Sequence, residues 1–155
     1  ILAPSTRIAY MVLPPALLEE TRDMLYSYSS TVSRFEQNTL ARFIDNGHLN
    51  RHLNRMKTLY RRRKDFLIEQ LSPYIDRWNI SVSGDSAGLH LLLNMSISQA
   101  DRVFSRAETE AIKIYRLSDF YHNPSNEGRG TLVMGYAGIE QDSIKKAVEL
   151  LFSSC

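Results

Sequence analysis

His48 and His52 stand four residues apart, a spacing that turns two imidazoles to one side of a helix, where they could share a metal ion. The glutamate that separates the histidines of a zinc protease is missing, however, and no third ligand stands nearby. Two histidines on a polar helix face is the reading these residues support. A second candidate is the run from Arg51 to Lys64, where Arg51, Arg55, Lys57, Arg61, Arg62, Arg63 and Lys64 occur without an acidic residue. Such a run could follow a phosphate backbone, but aromatic residues barely interleave it, and a solvated basic face is the commoner outcome on a long helix.

Other chemistries fail for want of a motif. There is no Gly-rich phosphate loop, no G-x-S-x-G elbow and no paired-cysteine pattern. Gly84 and Gly88 stand at neither nucleotide-binding spacing and read as the ends of a strand connection. The single cysteine, Cys155, has no partner in the chain, which excludes a disulfide framework and favours a reducing, cytoplasmic setting. A net charge of +2 is too small to name a polyanionic partner, and no apolar run approaches the roughly 18 residues of a membrane span. The chain opens on ILAPSTR rather than on methionine, so a longer parent protein is expected.

With 43% hydrophobic and 23% charged residues in 155, the chain can bury one core. Residues 8–13 form an apolar run ended by Pro14 and Pro15 and are expected to make a buried strand. A helix follows from Pro15, and a second from about Ser33 to Asn46, with Phe35, Leu40, Phe43 and Ile44 inward and Gly47 as its stop. Leu49, Leu53, Met56, Tyr60, Leu67 and Leu71 then share one stripe of a long helix that Pro73 is expected to close. Residues 78–83 alternate as a half-buried strand would, and Leu89 to Met95 suits a central strand. Helical spacing returns over residues 99–115, and a loop over 123–128 leads to a strand at 131–137 and a helix at 140–152. The order β-α-α-α-β-β-α-β-α describes one α/β domain over residues 1–155, its small sheet covered by helices.

ILAPSTRIAYMVLP resembles the segment that follows the Schiff-base lysine in fold-type I pyridoxal phosphate proteins. SRFEQNTLARFIDNGHLNRHLNRMKTLYRRRKDFL, AGLHLLL and LVMGYAGIEQDSIKKAV follow in the expected order. Together they look most like the MocR-type regulators of the GntR family of transcription factors, over nearly the whole chain. The resemblance implies an α+β fold with a small, mainly antiparallel or mixed sheet, as in the small C-terminal domain of fold-type I aminotransferases.

The Schiff-base lysine would precede Ile1, so no catalytic residue is expected here, and Lys57, Lys64 and Lys113 lie in unrelated contexts. By the same resemblance Arg7 would contact the phosphate of pyridoxal phosphate, a task suited to a guanidinium. Family enzymes carry a carboxylate-gripping arginine where this chain has Val133, four residues before Ala137-Gly138, which argues against amino-acid turnover; Arg129 is the one nearby substitute. The implied function is the effector-sensing and dimerising part of a bacterial transcriptional regulator. The intact protein would bind pyridoxal phosphate and an amino compound, dimerise, and hold DNA through an N-terminal domain, with no membrane partner and no cofactor on this piece alone. The alternative is the C-terminal domain of a pyridoxal phosphate-dependent aminotransferase.

Overall fold

The computed structural model describes residues 8–26, 28, 32–84, 88–122 and 128–152. The chain divides into two compact units, Ile1–Met56 and Lys57–Cys155. In the first, α1 (Pro15–Leu25) has Pro15 in its first turn, where the missing N–H is one the helix would leave unbonded anyway. A capping box opens α2 (Arg34–Asp45): the Glu36 N–H donates to Ser33 Oγ at 3.2 Å, and the Ser33 N–H donates to the Glu36 carboxylate at 3.3 Å. Gly47, at φ +71°, then turns the chain into α3 (His48–Ile75).

Two expectations fail in this unit. Residues 8–13 form no strand, and Tyr10 is 91% exposed. A strand exists only through bonds to a neighbour, and no described strand pairs with this run. Phe35 and Ile44, expected inward, are exposed, because neither α1 nor α2 has a buried residue.

The second unit holds the core. Here α3 passes through Pro73 instead of stopping at it, since a proline in the last turn removes one hydrogen bond without ending the helix. The true stop is a Schellman arrangement: the Ile80 N–H donates to the Ile75 carbonyl at 2.9 Å, the Asn79 N–H to that of Asp76 at 3.3 Å, and Asn79 takes φ +48°. The same device ends α4 (Ile97–Thr109) earlier than expected, with the Ile112 N–H on the Ala107 carbonyl at 2.8 Å and Ala111 at φ +55°. Residues beyond it are thereby released into a short strand rather than a longer helix.

The strands β1 (Ser81–Ser83), β2 (His90–Asn94), β3 (Tyr115–Arg116) and β4 (Thr131–Gly135) lie in the order β1-β2-β4-β3, each neighbouring pair antiparallel. The expected α+β class, a small antiparallel sheet covered by helices, is the class observed. Leu91 and Leu93 of β2 share a core with Leu132 and Met134 of β4, Leu67 and Leu71 of α3, Val103 and Ala107 of α4, and Ile144, Val148 and Leu151 of α5 (Gln141–Phe152). Trp78 meets Phe152 edge-on at 5.5 Å between ring centroids. The one buried polar residue among those described, Thr131, donates its hydroxyl to Asn94 Oδ1 at 2.9 Å, and Asn94 Nδ2 donates to the Ser81 carbonyl at 3.1 Å, so the polar atoms of three strands satisfy one another.

Candidate functional site: an apolar cleft on the open face of the sheet

Side chains alternate across a strand, so the pattern that buries Leu91, Leu93, Leu132 and Met134 turns His90, Leu92, Val133 and Gly135 to the other face. Register brings Leu92 opposite Val133 and His90 opposite Gly135, while Tyr115 of β3 pairs with Val133 from the other side. With Leu89, Leu117 and Phe120 these residues line a cleft of about 470 Å³. One wall is aromatic: Tyr115 and Phe120, the latter on a single 3-10 turn over Leu117–Phe120, meet edge to face with centroids 5.9 Å apart. Gly88, at φ +91°, leaves room for the His90 imidazole, whose Cε1 would stand 3.4 Å from a Cβ placed there.

Among the described residues no aspartate, glutamate, lysine or arginine lines the cleft. The described lining can therefore strip water from an apolar group, but it offers no cation to compensate a buried carboxylate. Lys113, two residues before Tyr115, is outside the lining; its ammonium lies 5.3 Å from the Tyr115 ring centroid, and its pKa is raised by the hydrogen bond with that tyrosine.

Val133 thus sits at the centre of this face, between Leu92 and Tyr115. Arg129 is exposed in the turn that precedes β4 and is not among the lining residues. Arg7 lies outside the described residues. The cation run is divided by its surroundings: Arg51, Arg55, Lys57, Arg61 and Arg62 are exposed, whereas Arg63 is half-buried and donates to the Ala137 carbonyl just past β4. Arg63 precedes Leu67 and Leu71 at steps of four, so its place on the buried stripe was legible, though the charge run masked it. Of the two histidines, His48 is exposed with its ring 5.8 Å from that of Phe43, and His52 is half-buried. Among the described residues no three His, Cys, Asp or Glu side chains come together as a metal would need.

The sequence reading missed the cleft itself. Its signal was a strand apolar on both faces, Leu91 and Leu93 toward the core and Leu92 away from it, which implies a use for the second face. Pyridoxal phosphate needs an amine for its aldehyde and cations for its phosphate, and the described residues gather neither in the cleft. They do not fit that cofactor by themselves.

No protein-family profile matches the chain. Among curated proteins it is 32% identical over 152 residues to an uncharacterised HTH-type transcriptional regulator, YdeL, of Bacillus subtilis, a match covering 97% of this chain and 32% of the relative. It is 28% identical over 155 residues to the probable rhizopine catabolism regulatory protein MocR of Rhizobium meliloti, covering 99% of this chain and 31% of that protein. The chain therefore spans about a third of the length of the curated relatives it matches. Among solved structures, α-aminoadipate aminotransferase LysN of Thermus thermophilus, complexed with a phosphopyridoxyl-leucine adduct, superposes with a TM-score of 0.67 at 20% identity, over 90% of this chain and 35% of that one. The chain is thus homologous, over nearly all its length, to HTH-type transcriptional regulators, MocR among them, and is built as the small C-terminal domain of an aminotransferase.

Proposed function

We propose that this chain is the C-terminal subdomain, over residues 1–155, of the aminotransferase-like module of a cytoplasmic transcriptional regulator, and that it serves effector sensing and dimerisation rather than catalysis. In the whole protein Arg7 would hold the cofactor phosphate, and a Schiff-base lysine and a DNA-binding HTH domain would lie in residues preceding this chain. Arg129 is the candidate for a secondary contact with the effector. The observation that carries the reading is Val133: in a chain with regulators for relatives, the open face of the sheet presents an aliphatic side chain and, among the described lining residues, no cation. An amino acid held for transamination needs its carboxylate gripped, and a guanidinium does this with two parallel hydrogen bonds that valine cannot make.

A regulator must couple ligand to DNA, and a ligand shifts an equilibrium only by binding its two states unequally. The test is made on the longer gene product that carries this chain. Pyridoxal phosphate together with an amine is expected to change occupancy of DNA from the neighbourhood of its own gene, while amino-group transfer stays far below about 1 s⁻¹, the low end for ordinary enzymes. The second reading, an aminotransferase C-terminal domain, draws on the fold shared with LysN. Turnover at ordinary enzymatic rates with no response of DNA binding would establish it instead.

A further inference from the structure

We infer that the exposed basic face of α3, carried in the second unit by Lys57, Arg61 and Arg62, is a contact for the phosphate backbone of duplex DNA. The inference rests on the regulator reading only for the presence of DNA beside the protein; the anionic character of the partner follows from the helix. From residue 51 to residue 62 the exposed positions of α3 hold five cations, Arg51, Arg55, Lys57, Arg61 and Arg62, with three neutral side chains and no acid. Arg63 does not belong to this face, because it is half-buried and donates to the Ala137 carbonyl. A solvated face is the commoner outcome on a long helix, but such a face mixes its signs. On α5, Lys145 and Lys146 stand four residues from Glu149 and Asp142. On α3 the same spacing sets cation beside cation, Arg51 with Arg55 and Lys57 with Arg61, pairs that cost the helix stability until an anion meets them.

The make-up of the face selects among anions. All but Lys57 of the exposed cations are arginines, whose planar fork matches the oxygens of a phosphate. A duplex carries one charge per roughly 1.7 Å of its axis, so the stretch of helix from 51 to 62, about 17 Å long, can meet several phosphates at once. A single strand would ask for exposed rings on which bases stack, and Tyr60 is half-buried. A membrane surface would ask for apolar side chains among the cations, and over these residues Leu59 alone is apolar and exposed. Backbone contact of this kind adds affinity without reading sequence.

Binding of a labelled duplex of about 20 base pairs and arbitrary sequence is followed by fluorescence anisotropy from about 20 to about 200 mM salt, with the 155-residue chain and with the longer gene product. The 155-residue chain is expected to bind saturably at low salt, with log K falling against log salt at a slope of about −3 to −4, near −0.9 for each cation that meets a phosphate. Arg61→Gln together with Arg62→Gln, which keeps good helix formers in α3, should flatten the slope of either protein by about 2 on every sequence. Lys145→Gln with Lys146→Gln removes the same charge from α5 and should leave the slope unchanged, as should Arg61→Lys with Arg62→Lys, which keeps the charge in place. No binding at low salt, an equal effect of the two glutamine pairs, or tighter binding of a single strand, of phosphatidylglycerol vesicles or of polyglutamate than of duplex each overturns the contact. Failure of the regulatory reading looks different. If duplex is bound through this face while pyridoxal phosphate and an amine leave the DNA occupancy of the longer gene product unchanged, the contact stands and the effector role falls. If occupancy responds to them while the glutamine pair on α3 leaves both slopes unchanged, the effector role stands and the contact falls.

Discussion

Tyr136 is buried on the helix-covered side of the sheet, and its hydroxyl donates to the Gly88 carbonyl at 3.1 Å, tying the residue after β4 to the turn before β2. Burial raises its pKa above the ordinary 10.0, and the negative charge of Asp65 on α3 adds to the effect. A group whose folded pKa is raised contributes its full stability below the unfolded value and loses it as pH climbs from there through the folded value. Tyr136→Phe should therefore cost about 1 kcal/mol near pH 8, the worth of one hydrogen bond. The gap between wild type and variant should narrow above pH 10, which urea midpoints at pH 8 and at pH 10.5 would measure; a gap constant with pH would refute the account. At this scale the sequence was uneven in what it disclosed. Val133 could be picked out by its spacing from Ala137-Gly138, and it does stand at the centre of the open face. Arg63 shares the spacing of Leu67 and Leu71, but it was read as one more cation of the run, and its donation to the Ala137 carbonyl was not anticipated.

Elements were legible where their signals are local. The Ser33 and Glu36 pair announces a helix start, and Pro15 announces another, because capping chemistry is settled within four residues. Ends were harder to place. Glycine marks a left-handed stop plainly at residue 47, but α3 stops on Asn79 and α4 on Ala111, which carry the same conformation without the same signature. Alanine pays for it, at about 1 kcal/mol, since its Cβ crowds the following carbonyl at positive φ. Ala111→Gly is thus expected to stabilise the second unit by about that amount, less the entropy that glycine adds to the unfolded chain. Asn79→Gly should change little, because asparagine tolerates the left-handed region. Thermal midpoints of the two variants decide it, and a destabilised Ala111→Gly would show that the positive φ is not what ends α4. The expected strand over residues 8–13 failed for the converse reason: its composition was right, but composition does not provide a neighbouring strand.

Over the whole molecule, burial is confined to one part of the chain. Among the described residues none before Leu67 is buried, and every residue of the apolar core lies in the unit that begins at Lys57. The first unit instead leaves Leu17, Leu18, Met24, Leu25 and Phe35 exposed on helices that bury nothing. Helices of 11 and 12 residues are marginal without such burial, so their backbone hydrogen bonds should open readily. Amide exchange of the 155-residue chain is therefore expected to be fast throughout α1 and α2 and slowest in β2, β4 and α5, whose opening requires loss of the core. In the longer gene product the same exposed side chains would meet the rest of the module under the proposed organisation, and α1 and α2 should gain protection of at least about ten-fold, the equivalent of roughly 1.4 kcal/mol of local stability. Equal exchange of these helices in both proteins would mean that their apolar faces find no partner there, and the assignment of residues 1–155 to a larger aminotransferase-like module would fall with it.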